Sequence, residues 1–223
     1  RFGLMNAVHI RDVTRPFFSE VELGVFRDLG LEVDIEGQFG HSLYTNGNTV
    51  TNADGFDSTN HYGIGLHIVS DYNTVTQTGS LHANGVAGTG IRIEGQDNKV
   101  VIAPGATVAA NGPQGCGVLV SHGDGAVLIN RGLIEALGTG GVGVLLCEGD
   151  WGSFLAAGAD RFDNSGVIDA GAHDAIRLTD CFVQPYVNLM AGTRIRGGIS
   201  AEEGGSWATI TFGKKADAGG AAT

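Results

Sequence analysis

The tetrapeptide Asn-Thr-Val-Thr at 48–51 recurs unchanged at 73–76, and Asn-Lys-Val-Val follows at 98–101. Each copy starts 25 residues after the one before it. A fixed period of this length is the strongest constraint on the fold, because no single unit can bury its apolar face and each must stack on its neighbours.

The same count runs through GLHIV, GIRIE, GVLVS, GVLLC and AIRLT, which begin at Gly65, Gly90, Gly117, Gly143 and Ala175. The steps are 25, 27, 26 and 32 residues, the last stretched by the aromatic insert WGSFLAAGADRF. Strand side chains alternate between faces, so alternate positions should form columns. One column reads Leu66, Ile91, Val118, Val144, Ile176, and two residues on the next reads Ile68, Ile93, Val120, Leu146, Leu178. Both are aliphatic throughout. The intervening column, His67, Arg92, Leu119, Leu145, Arg177, is mixed and is expected to face water. A second set runs through Val50, Val75, Val100 and Val127, and a third through Leu81, Val108, Ile134, Ile168 and Ile195. Two residues after the third lies a small-residue column, Ala83, Ala110, Ala136, Ala170 and Gly197, with His82, Ala109, Glu135, Asp169 and Arg196 between. A helix would not keep that alternation.

Three strands per repeat describe a mainly β fold, a right-handed parallel β-helix or solenoid of about six to seven coils. It should cover residues 35–213, with 214–223 a truncated continuation and a short α-helical segment in front. Within each repeat Asn is expected to turn the corner, Val to fill the core and Thr to suit the outer face.

Residues 1–34 break the period. SEVELGVFRDLG reads as a helix with Ser19 as N-cap, Glu22 as its capping-box partner and Gly30 ending it. Val21, Val25, Phe26 and Leu29 form its apolar stripe, and the plain expectation is a helical cap over the open end of the solenoid.

Composition narrows the function classes. A hydrophobic share of 42% excludes a solvated disordered chain, and a net charge of −11 disfavours nucleic acid and anionic membranes as partners. No apolar run approaches the ~20 residues a spanning helix needs, so no membrane insertion by this segment is expected. Cys116, Cys147 and Cys181 are odd in number and lack CxxC spacing, which reads as separate reduced thiols.

Two resemblances add to this. GTGIRIEGQDNKVVIAPGATVAANG and GVLINRGLIEALGTGGVGVLL are similar to passenger domains of bacterial autotransporters, the type V secretion route, over roughly residues 36–213. That resemblance implies a passenger exported through the outer membrane of a Gram-negative bacterium, secreted or held at the cell surface. Its partners would be its own C-terminal β-barrel translocator and a host surface protein or glycan. GLMN at 3–6 with FFSEVELGVFRDLGLEVD at 17–34 resembles the end of a metzincin zinc peptidase of the matrixin kind. There Met5 matches the Met-turn methionine and LGVFRDLG the closing helix. The zinc motif H-E-x-x-H of that family is absent here, so no zinc ligand or catalytic Glu carries over.

Other candidate sites have plainer explanations. Asp71, Asp97, Asp124 and Asp150 recur at steps of 26, 27 and 26, as a calcium or paired-carboxylate ladder would. Asp at corners between strands explains the spacing better. GTGGVG at 138–143 fits G-x-G-x-x-G, but a strand rather than a helix follows, which rules out a dinucleotide fingerprint. The seven His, at 9, 41, 61, 67, 82, 122 and 173, form no HxH or HxxxH pair. His67 and His82 fall in outward columns. Trp151, Phe154 and Phe162 are expected in the insert, packed on the solenoid flank. The residues therefore assign no catalytic, cofactor-binding or metal site and no cofactor. The leading expectation is a non-enzymatic passenger segment, a stalk or adhesin. The alternative is the linker of a secreted zinc endopeptidase whose catalytic motif lies upstream, and a β-helix polysaccharide lyase or hydrolase ranks last.

Overall fold

Each repeat is too short and too rich in Val, Ile and Thr for helices, and folds into three brief strands separated by Gly- and Asn-rich corners. The computed structural model describes residues 18–147, 159–179, 184–201 and 208–214. These form a parallel β-solenoid of about six turns. Among the described residues two helices come first, α1 (Glu20–Asp28) and α2 (Ile35–Gln38). The first coil is β1 (Phe39–Leu43), β2 (Thr49–Asn52) and β3 (Phe56–Ser58). The second is β4 (Ile64–Ile68), β5 (Thr74–Gln77) and β6 (Leu81–Ala83). The third is β7 (Thr89–Ile93), β8 (Lys99–Ile102) and β9 (Thr107–Ala109). The fourth is β10 (Cys116–Val120), β11 (Val127–Asn130) and β12 (Leu133–Glu135). The fifth holds β13 (Val142–Cys147) and β14 (Arg161–Asn164), and the long β15 (Val167–Thr179) runs from its third side into the sixth coil. Then come β16 (Tyr186–Met190), β17 (Arg194–Ala201) and β18 (Thr209–Lys214).

Second strands stack as one 7-stranded sheet, β2-β5-β8-β11-β14-β16-β18. First and third strands join through β15 into an 11-stranded sheet. Register follows the sequence columns. Leu66 pairs with Ile91, Ile91 with Val118, Val118 with Val144 and Val144 with Ile176, all buried. The column from Ile68 to Leu178 and that from Leu81 to Ile195 are in register too.

One column needs correction. Val50, Val75 and Val100 are followed by Leu128, not Val127, which pairs with Lys99 instead. The cause is the corner at 121–126, one residue longer than its counterpart at 94–98, and a one-residue slip moves a side chain to the other face. Phe162 is corrected likewise. It sits above Leu128 in that core column, fully buried, rather than on the flank, because the aromatic insert rejoins the stack through β14.

The corners are fixed by hydrogen bonds between coils. The backbone N–H of Asn48 donates to Asn73 Oδ1 at 2.9 Å, and that of Asn73 donates to Asn98 Oδ1 at 2.9 Å. Asn73 and Asn98 are fully buried, so the repeated Asn is an internal ladder and not only a turn former. On the far side of the second sheet, Asn52 donates to Gln77 at 2.8 Å and Asn130 to Asn164 at 2.7 Å. Glycine is required where first strands cross third strands. A Cβ on Gly117 would lie 2.5 Å from the Gly143 carbonyl oxygen and would run into Ile134.

At the N-terminal end α1 has its capping box, Ser19 with Glu22. The capping residue at its other end is Leu29, with Gly30 next in the left-handed region at φ 84°. Bonds from Gly30 N–H to Arg27 and from Leu31 N–H to Phe26 close the helix. The expected apolar stripe is not buried. Val21, Val25 and Leu29 are exposed, Phe18 packs edge-on against Phe26, and Leu23 is the residue that meets Ile35, Phe39 and Ile64. Tyr44 of the first coil also donates to Glu20 of α1 at 2.7 Å, and α2 adds polar contacts, where Ser58 donates to the Gly37 carbonyl and Gln38 to that of His61. Asp34 caps α2, and bonds from Asn60 and the Gly37 N–H hold its carboxyl below the usual carboxylate range.

Two substitutions in β8 test the register. Val100→Asp buries a carboxylate in a closed aliphatic column and should cost several kcal/mol, whereas its exposed neighbour Lys99→Gln should change stability by under about 0.5 kcal/mol. Denaturant midpoints decide it, and equal losses would contradict the register. Gly117→Ala, also read by denaturant midpoint, should destabilise, whereas Gly24→Ala in α1, where nothing lies within 4 Å, should not.

Candidate functional site

The column His67, Arg92, Leu119, Leu145, Arg177 leaves the coil on its outer side, as alternation requires, yet it does not face water over most of its length. His67 is 4%, Arg92 3% and Leu119 5% exposed. Cys116, Leu119 and Val142 form a separate outer apolar cluster with Leu145 packed on it. The expectation that this column is solvated is therefore wrong, since alternation fixes the face a side chain leaves from and not what lies over that face.

The chemistry gathers around Glu94, just beyond β7. Position 94 shares a face with 92, so Arg92 reaches it along the strand: Nε donates to Glu94 Oε1 at 2.8 Å and an Nη lies 2.6 Å from the same oxygen. His67 stands one coil below Arg92, and its Nε2 is 3.1 Å from Glu94 Oε2. The ring of His67 stacks on Phe39 at 6.3 Å. From the coil above, His122 brings Nδ1 to 3.7 Å from Oε1. Residue 122 is the additional corner residue and takes a positive φ of 55°, stacked against Gly95, whose N–H donates to its carbonyl.

Burial opposes ionisation of Glu94, but the Arg92 guanidinium and the His67 hydrogen bond outweigh it and hold the carboxyl well below its ordinary range. Both carboxylate oxygens are engaged, one by a cation and one by an imidazole. Such a group neutralises itself and locks three coils together. A second ion pair lies on the neighbouring face, where the partly exposed Arg161 holds the fully buried Asp163 and Asn188 donates to it at 2.7 Å.

Other sequence candidates separate. Asp71 and Asp124 are not in one column with Asp97. Asp71 stacks with Asn46 and Gln96, accepting from the Gln96 N–H at 2.9 Å, while Asp97 takes a positive φ of 53° above Tyr72 at 60°. The spacing thus arises from corner geometry. Asp150, Met5, His9, Trp151 and Phe154 lie outside the described residues. His61 and His82 remain apart, and His173 flanks the Asp174–Arg177 pair; burial raises the Asp174 carboxyl, but hydrogen bonds from Arg177 and Ser200 and the Arg177 charge together outweigh it and hold it low. GTGGVG leads directly into β13, a strand. Among the described residues no group of three or more His, Cys, Asp or Glu side chains is placed to hold a metal ion.

The columns of the sequence do not reach Glu94, although a signal for it is present. Arg92 and Glu94 are two apart in a strand, and the period places His67 and His122 in the coils on either side. Two predictions follow from the geometry. Arg92→Met leaves Glu94 buried without its cation and should cost about 3–5 kcal/mol, while adding Glu94→Met should recover much of the loss. Chemical denaturation of both variants measures this. Because the folded-state pKa of Glu94 is depressed, its contribution is complete above the unfolded carboxylate value, about 4.3, and is lost as pH falls towards the folded value. Melting temperature should therefore fall more steeply between about pH 5 and 3 in the wild type than in Glu94→Gln. Scans against protein-family models, curated proteins and solved structures find no match to this chain.

Proposed function

We propose that the solenoid acts as a rod in an exported bacterial passenger, spacing or presenting other parts of its parent protein at the cell surface. The observation that carries this reading is the unbroken stacking of interchangeable coils. Each coil adds ~4.8 Å of length and continues the same parallel sheets and core columns, with side-chain ladders joining some of the coils. A device whose units differ so little delivers length and stiffness. The buried group around Glu94 supports the same view, since its charges are spent on one another and tie coils together. A net charge of −11 helps to keep such rods apart. No helix among the described residues is long and apolar enough to cross a membrane. On this reading the partners are the passenger's own β-barrel translocator and a host surface protein or glycan.

A second reading, the linker of a secreted zinc endopeptidase, is favoured by α1. Its Val21, Val25 and Leu29 are exposed rather than packed on the solenoid, as in a helix that belongs to a preceding domain.

Antibody raised against this chain should label intact cells, and in-frame excision of residues 116–141 from the full gene should leave labelling and fold in place. The excision joins one coil boundary to the next, so Thr89 would pair with Val142 where each now pairs with Cys116. Labelling confined to permeabilised cells would overturn the surface reading, and an unfolded product would overturn the interchangeability of coils. Chelator-sensitive proteolysis by the parent would favour the linker reading.

A further inference from the structure

The core column that holds Leu66, Ile91, Val118, Val144 and Ile176 is aliphatic in each of these coils, but in the first coil its register partner is His41. A leucine there would continue the column. His41 Nε2 is instead buried and has no hydrogen-bond partner, a cost that the fold alone does not require. Beside it the first coil opens into a cavity of about 260 Å³. Phe39, Phe56 and Leu81 supply apolar wall, and Asp54 and Glu36 bring carboxylates. Glu36 also pairs with Arg27 at 3.3 Å, so Asp54 is the freer negative charge. The volume lies below the ~300–1,000 Å³ of pockets for drug-sized ligands, which limits an occupant to a smaller molecule.

We propose that this mouth is a binding site for a small primary amine carried on an apolar body. The apolar part would lie against Phe39, Phe56 and Leu81, where burial drives binding. The ammonium would be neutralised by Asp54, with Glu36 adding field, and would donate one N–H to the imidazole of His41. A histidine ring turns about its soft terminal torsion, and since Nε2 makes no bond in the free protein none is lost there when it turns towards the cavity. A carboxylate ligand of the same shape meets two like charges instead. Local rule-breaking of this kind, a polar residue in an apolar column beside a cavity, is where sites are expected.

Calorimetric titration of the whole chain with 2-phenylethylamine tests this, with 3-phenylpropionate as the matched anion. The amine should bind saturably, and the anion should bind at least about tenfold more weakly, the factor one charge-assisted hydrogen bond supplies. Asp54→Asn and His41→Leu should each weaken the amine by a similar factor, and His41→Leu should in addition raise the melting temperature by completing the column. Asp54 is exposed, so its variant keeps the test valid if His41→Leu fails to fold. No saturable heat with the amine, equal binding of the anion, or amine binding untouched by either substitution would overturn the proposal. None of these outcomes bears on whether the solenoid is a surface rod.

Discussion

Parallel pairing of each coil with the next is the interaction on which the rest depends. In a parallel stack every residue sits above its counterpart one period earlier, so the environment of a side chain is made of its own copies. An aliphatic column is then dry along its length, and an asparagine column bonds to itself: Asn48 to Asn73, and Asn73 to Asn98. Neither arrangement is stable in a single coil. This is why the sequence keeps residue size and polarity column by column while letting identities drift, and why core energy is shared by neighbours rather than held in one place.

The same rule explains where the irregularities fall. An added corner residue at 121–126 slips the register by one and brings Leu128 rather than Val127 into the core. It also turns His122 towards Glu94, with a positive φ that a non-glycine residue adopts only when its surroundings hold it there. The insert before β14 lengthens one coil without breaking the stack, since Phe162 returns to the column above Leu128. Insertions are absorbed at corners, because strands must meet their neighbours in register and corners need not.

Buried charge on the flank has a different origin from the core. The first-strand face carries His67, Arg92 and Glu94 outward, where solvation would ordinarily satisfy them, but they are enclosed and satisfy one another. Removing these charges from water is costly and recovered only if each finds a partner. The arrangement therefore favours one register strongly, since a slip of a single residue would leave a carboxylate and a guanidinium buried apart. The proposed rod role rests on this stacking, and the proposed binding site lies where the repeat is broken, at the mouth beside His41.

The sequence by itself determined the period, the three strands per coil, the members of nearly every core column and the capping box of α1, because these depend on spacing and alternation that are visible in one dimension. Only the tertiary structure decided what covers a face. Alternation said that Arg92 points away from the core, but its 3% exposure is a property of the folded packing around Glu94, which alternation alone does not give. The split of the aspartates between two corner positions was hidden for a related reason: Asp71 and Asp97 are 26 apart where the local period is 25, and one residue separates a side chain that caps a backbone N–H from one held at positive φ. Likewise the exposure of Val21, Val25 and Leu29 could not be read from their helical spacing, since an apolar stripe records that a helix can pack, while three-dimensional contact alone decides against what.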